Sequence, residues 1–173
     1  MRGFALNLLL ALHFCWIETG DQQVPTAEEY DLARFVEAHD SHYARVRSEL
    51  QQGQKRSHWM WFVFPQIQGL GSSEMSLRYA IRDIGEAKAY LADPTLGQRL
   101  RECVSLLLVH KDKTCESILG PIDSLKLQSC LTLFLEAAHG PGDIKLFSKA
   151  LEQFHFGRRD EATLRILSET STS

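Results

Sequence analysis

The chain has 173 residues, of which 44% are hydrophobic and 24% are charged, and its formal net charge at pH 7 is −3. This length and balance are typical of one globular domain that buries its own core without a metal ion or a disulfide. The weak negative charge gives no sign of a nucleic-acid partner, and we predict none.

The N-terminal residues MRGFALNLLLALHFCWI form an apolar run behind a single arginine. The run resembles the apolar region of a signal peptide, but Asn7 and His13 interrupt it, and it is too short to span a bilayer. We therefore predict that residues 1–27 are a signal-like or disordered extension, and we expect no membrane span. We expect a cytoplasmic protein, or a secreted or periplasmic one if residues 1–20 act as a signal peptide.

Potential metal ligands are few and poorly spaced. The four cysteines form no C-x-x-C pair and no zinc-finger pattern, which favours buried free thiols in a reducing compartment; they are Cys15, Cys103, Cys115 and Cys130. His39 and His42 are three apart on one predicted helical face, but no third ligand can be assigned to them. We predict no metal site and no cofactor.

The chain from residue 28 onward is predicted to be helical. Residues 28–51 form one helix that ends at Gly53, because apolar residues recur there at helical spacing. Asp83 and Glu86 fit a capping box, and Asp93 with Pro94 is typical of the next helix start.

Two further helices are predicted to begin at Pro121, with Asp123 as the cap, and at Pro141. Gly157 is predicted to close the second of these. Asp160 is predicted to cap a last short helix that runs through Leu167.

The segment 55–71, KRSHWMWFVFPQIQGLG, allows two structures. Its composition favours a strand that is buried on both faces. Alternatively, Ser57 caps a short helix and Pro65 ends it. We favour the helix because a lone strand has no partner in this sequence. The fold class is then mainly α, a single-domain irregular orthogonal helical bundle over residues 28–168, followed by a disordered tail at 169–173.

The same segment carries a family resemblance. Lys55, the run HWMWFVFPQ at 58–66 and Gly69-Leu70-Gly71 resemble the signature of the domain of unknown function 1810 family. Shorter matches continue to about residue 168, among them Lys126-Leu127 and Phe156-Gly157. The resemblance implies a small, mainly helical soluble domain without an established activity. Residues 1–27 lie outside the family pattern, and Cys130 stands where a second serine is expected after Ser129.

The candidate site is an aromatic wall beside basic residues. Tryptophan rings can stack a flat ligand while lysines take its negative charge, and a looser similarity to the NADAR (NAD- and ADP-ribose-associated) proteins, without a matching motif, suggests a nucleotide or ADP-ribose-type ligand. The candidate ligand-binding residues are Lys55, His58, Trp59, Trp61, Gln66, Lys126 and Ser129. The competing interpretation makes the tryptophans part of the core and Lys55 a solvated flank.

No catalytic residue is predicted. The loop Gly69-Leu-Gly-Ser-Ser73 could offer backbone N–H groups to a phosphate or be a simple turn with a helix cap, and it lacks the spacing of a P-loop. The absence of a G-x-S-x-G turn argues against a serine hydrolase. Two functions remain: binding or hydrolysis of a small anionic ligand, or a non-catalytic binding or protein-interaction module with an exposed apolar patch.

Overall fold

The computed structural model describes residues 30–170, and within that range it contains nine α-helices and no strand longer than a single bridge. The helices are α1 Ala33–Gln52, α2 Met60–Val63, α3 Glu74–Arg78, α4 Ile84–Ala92, α5 Leu96–Leu108, α6 Cys115–Leu119, α7 Pro121–Ala137, α8 Pro141–His155 and α9 Glu161–Thr170. The prediction of a mainly α, irregular helical bundle is confirmed. None of the helices in this range combines the length and the apolar character needed to cross a bilayer.

The centre of the bundle is α7, which packs against α4, α6, α8 and α9. Its buried side chains cover almost the whole circumference of the helix, so α7 is enclosed by its neighbours rather than laid on their surface. α1 packs on α5 and α2 at one side, and α5 also contacts α4 and α8. The predicted extension at 1–27 lies outside the described residues, and α9 runs to Thr170, beyond the predicted start of the tail.

Most helix starts follow the local signals. The Asp83 side chain accepts a hydrogen bond from the Glu86 N–H at the start of α4, and the Asp93 carboxylate accepts from the Leu96 N–H at the start of α5. Asp160 does the same for the Thr163 N–H at α9. Pro121 and Pro141 stand at the first positions of α7 and α8, as predicted.

The residue that closes a helix differs from the glycine predicted for it in one case. Gly53 closes α1 in the left-handed conformation, at φ 62°. At the end of α8, however, the left-handed C-cap is Phe156, at φ 57°, and Gly157 follows it at φ 72°. Glycine usually takes this first position because it has no Cβ to clash, so the Phe156 backbone is strained.

The aromatic segment is helical, as favoured, but it is only one turn long. Met60, Phe62 and Val63 of α2 are buried, and the chain then forms an isolated parallel bridge between Ile67 and Ile81. The prediction that Ser57 caps this helix is wrong. Trp59 is the N-cap residue, and its side chain makes no cap hydrogen bond. Ser57 lies two residues earlier, and its hydroxyl donates to Glu49 at 2.6 Å.

The cysteines within the described residues are free and buried, namely Cys103, Cys115 and Cys130. Burial raises the pKa of the Cys103 and Cys115 thiols to about 12. Thiols of this kind remain protonated at neutral pH, so they act as small apolar groups and not as nucleophiles.

Candidate functional site

The candidate site is centred on a carboxylate that two lysines share. Asp123 is the third residue of α7, where its Oδ2 accepts from Lys55 Nζ at 2.8 Å and its Oδ1 accepts from Lys126 Nζ at 2.9 Å. The prediction that Asp123 caps α7 is therefore wrong: Gly120 is the N-cap residue, and both oxygens of Asp123 point to lysines. We call Lys55, Asp123 and Lys126 the Lys–Asp–Lys cluster.

The cluster comes from two distant parts of the chain. Lys126 lies one turn after Asp123 on the same helical face, so α7 alone brings these two side chains together. Lys55 lies in the loop after α1, and its backbone N–H donates to the Ile118 carbonyl at 2.7 Å. This bond fixes the loop beside α6 and the start of α7, which brings the Lys55 ammonium to Asp123.

Each ammonium of the cluster also lies over an indole ring. Lys55 Nζ is 5.2 Å from the centre of the Trp59 ring, and Lys126 Nζ is 5.0 Å from the centre of the Trp61 ring. Such cation–π contacts favour a charged ammonium. Trp59 is fully buried, whereas Trp61 is half-buried, so only Trp61 offers part of its ring to a ligand.

The charges of the cluster do not balance. Two ammonium groups meet one carboxylate, which leaves one positive charge in excess. Burial alone would raise the pKa of Asp123, but the hydrogen bonds and charges of Lys55 and Lys126 outweigh it and lower that pKa. The carboxylate is therefore ionised at neutral pH, and the cluster keeps its net positive charge.

A buried carboxylate that the sequence did not reveal supports the Trp59 side of the site. Glu49, in the last turn of α1, accepts hydrogen bonds from Trp59 Nε1 at 2.8 Å and from the backbone N–H groups of Arg56 and Ser57 at 2.9 and 3.1 Å. Burial would raise the pKa of Glu49, but these bonds together with the Ser57 hydroxyl lower it to about 2. The sequence carries one sign of this buried carboxylate, because Glu49 stands directly before Leu50, an apolar residue near the end of α1.

A narrow cleft adjoins Trp61. Gln66 lines it together with Trp61, Gly69 and Gly71, and its interior of about 10 Å³ holds roughly one water molecule. The Gly-rich loop beyond it ends in an ordinary helix cap, because Ser73 Oγ accepts from the Ser76 N–H at 3.2 Å. A ligand larger than water can reach Trp61 only from outside this cleft.

The structure joins some of the predicted site residues and separates others. Lys55, Trp59, Trp61 and Lys126 meet around Asp123, and Gln66 shares a cleft with Trp61. The His58 side chain is exposed and makes no hydrogen bond within the described residues. The hydroxyl of Ser129 is buried and donates to the Leu125 carbonyl at 3.2 Å, so its own helix already uses it.

The histidine pair of α1 has structural partners. His39 is fully buried with Nε2 2.8 Å from the Phe62 carbonyl oxygen, and burial lowers its pKa to about 4. His42 Nδ1 lies 2.9 Å from the Ala38 carbonyl oxygen. Within residues 30–170, no three His, Cys, Asp or Glu side chains are grouped as a metal would require.

Comparison with known proteins places the chain in a family. No curated protein matches it. The chain is similar to the conserved hypothetical protein Rv1873 from Mycobacterium tuberculosis, whose crystal structure is known. The two sequences are 44% identical, and the two structures superpose with a TM-score of 0.77 over 80% of this chain and 97% of Rv1873. A family model described as "Protein of unknown function (DUF1810)" matches residues 29–167, close to the range that the resemblance covers. The chain therefore belongs to the DUF1810 family.

Proposed function

We propose that the chain binds a small anionic ligand with a flat ring, of the nucleotide or ADP-ribose class, at the Lys–Asp–Lys cluster and Trp61. One observation carries this proposal: two ammonium groups share a single carboxylate beside a half-buried indole. The excess positive charge attracts an anion, and the accessible part of Trp61 provides apolar surface for a ring.

The mode of binding follows from the position of the charges. Lys126 is the more accessible of the two lysines, since its side chain is 24% exposed and that of Lys55 is 11% exposed. The anionic group of the ligand takes hydrogen bonds from Lys126 that Asp123 otherwise receives, and so it competes with Asp123. Because the cleft beside Trp61 has no room for a ring, the flat part of the ligand rests on the outer surface of the indole.

The geometry of the cluster favours binding over hydrolysis. A general acid at neutral pH needs a carboxyl with a raised pKa, whereas the lysines lower the pKa of Asp123. Both Asp123 oxygens already accept hydrogen bonds, and nothing within the described residues orients the exposed His58 ring as a base.

Titration calorimetry of the full chain with AMP, ADP-ribose and inorganic phosphate tests the proposal. Lys126→Ala removes the accessible cation and should weaken binding by about tenfold, the loss of one charged hydrogen bond. Asp123→Asn removes the competitor and should strengthen binding. Arg45→Ala on α1 is the charge control, because Arg45 is exposed and forms no ion pair within the described residues.

The opposite signs of the two effects make the test specific. A cluster that only stabilises the fold would bind none of the three compounds, and both substitutions would change only the unfolding free energy. Weaker binding in Asp123→Asn would show that the carboxylate itself contacts the ligand, and the competition described above would then be wrong. The second function, a protein-interaction module, is favoured by a different part of the surface.

A further inference from the structure

A second concave surface lies away from the Lys–Asp–Lys cluster, between the end of α5 and the start of α8. It is an open groove of about 520 Å³ whose floor is apolar, formed by Leu108, Val109 and Leu146. Val109 is 69% exposed, and Leu108 and Leu146 are half-buried. Apolar side chains that line one open concavity and stay accessible to solvent are typical of a surface that binds a partner.

The rim of this groove carries charge of one sign. Lys111, Lys145 and Lys149 line it, and no acidic residue does. Within the described residues none of these three lysines forms an ion pair, whereas the lysines of the Lys–Asp–Lys cluster both do. The chain as a whole has a formal net charge of −3 at pH 7. The charge that lines the groove is therefore opposite in sign to that of the whole chain.

We propose that this groove binds a short acidic segment of another protein, with apolar side chains on the floor and carboxylates paired with the three lysines. The apolar floor supplies affinity, and the basic rim selects acidic partners and speeds their association. The groove shares no lining residue with the proposed ligand site, so it is a separate surface with a separate partner.

A peptide fits this surface better than a membrane does. Membrane-binding surfaces insert protruding apolar residues into lipid, but here the apolar residues line a concavity together with the lysines. An anionic bilayer would also repel the acidic remainder of the chain, which a short peptide in the groove does not approach.

Gly142 provides a way to block the groove without disturbing the fold. It lines the groove near the start of α8, and a Cβ atom added there would meet nothing within 4 Å. Gly142→Glu therefore fits the native backbone, and an acidic residue in the first turn of a helix is favourable. The new carboxylate lies in the groove and repels an acidic peptide, while Gly142→Ala adds only a methyl group and should leave binding intact.

The experiment uses the full chain and a displayed library of short acidic peptides whose apolar residues have i, i+3, i+4 and i+7 spacing. Affinities of selected peptides are measured by fluorescence anisotropy, and amide chemical shifts locate the binding surface. We expect shifts at α5 and α8 and a loss of about tenfold or more in affinity for Gly142→Glu and for Lys145→Glu with Lys149→Glu. Arg45→Glu, on the exposed surface of α1, is the charge control and should bind like the unmodified chain.

Three results would overturn the proposal. The first is a library that yields no peptide whose binding Gly142→Glu weakens. The second is peptide binding with chemical shifts confined to other helices. The third is binding to phosphatidylserine vesicles that Gly142→Glu abolishes while no peptide binds, which would assign the groove to a membrane. Thermal melts of every variant exclude unfolding as the cause of lost binding.

Discussion

Substitution of Glu49 measures how much the hydrogen bonds of its carboxylate stabilise the Trp59 side of the site. Glu49 is 6% exposed, and its carboxylate accepts from the Trp59 indole, from two backbone N–H groups and from the Ser57 hydroxyl. Glu49→Ala leaves all four donors without their acceptor. A buried donor without a partner costs about 1 to 3 kcal/mol. Of the four donors only the Trp59 indole is fully buried, and the other three can partly turn to water. We therefore expect the free energy of unfolding to fall by about 4 kcal/mol in total.

Glu49→Gln isolates the charge from the shape. The amide oxygen can replace Oε2, which accepts from the three N–H groups, and the amide NH₂ group can donate to the Ser57 hydroxyl. The hydrogen-bond pattern then survives without the negative charge. We expect a loss of about 2 kcal/mol at neutral pH, since hydrogen bonds to charged acceptors are the stronger ones.

The pH dependence provides the decisive measurement. Folding lowers the pKa of Glu49 from 4.5 to about 2, so the folded state favours the ionised form. The stabilisation is complete above the unfolded pKa, near 4.5, and is lost as pH falls towards about 2. A shift of this size corresponds to roughly 3 kcal/mol.

Urea denaturation followed by tryptophan fluorescence, at several pH values from about 7 down to about 3, measures this contribution. The unmodified chain should lose its advantage over Glu49→Gln as pH falls through this range. Other acidic groups titrate in both proteins, so the difference between them isolates Glu49. A difference that stays constant with pH would show that Glu49 carries no lowered pKa, and the assignment of its hydrogen bonds would be wrong.

Three further predictions concern Asp123, Phe156 and the buried cysteines. Asp123→Ala should lower the free energy of unfolding by about 2 kcal/mol, because it leaves Lys55 and Lys126 partly buried without a counter-charge. A loss of about 1 kcal/mol or less in urea denaturation would fit a simple helix cap instead. Phe156→Gly should raise the free energy of unfolding by about 0.5 kcal/mol in the same assay, because the Phe156 backbone is left-handed and its side chain is 80% exposed. A marked loss of stability would show that the ring packs against the fold. Cys103, like the other two buried cysteines, should resist a thiol reagent in the native state and react on denaturation, and rapid native labelling at these positions would contradict their burial.

Local signals predicted much of the fold because they depend on neighbouring residues. Proline at the first turn, as at Pro121 and Pro141, and aspartate before it, as at Asp83 and Asp160, act through backbone groups within one helical turn. The start of the central helix α7 was predicted in this way, from Pro121. Phe156 shows the limit of such signals, since Phe156 takes the left-handed position although a glycine stands next to it.

The site was predicted less well because its partners are far apart in the chain. Ser57 and Asp123 both have residue types that cap helices, and both were assigned as caps. In the structure each side chain instead binds a partner from another element, Glu49 for Ser57 and Lys55 for Asp123. Residue type alone cannot choose between a local backbone N–H and a distant side chain, since that choice depends on where α1 and α7 pack.

The Lys–Asp–Lys cluster has two roles that substitution can separate. The Asp123 carboxylate stabilises the fold by joining the loop of Lys55 to α7, and the same carboxylate reduces the positive charge that an anionic ligand needs. Asp123→Asn should therefore lower stability and raise affinity at once, a pair of effects with opposite signs. A residue that serves stability alone gives the first effect without the second. A residue that contacts the ligand favourably loses affinity on substitution, so the sign of the change in affinity decides what Asp123 contributes to the site.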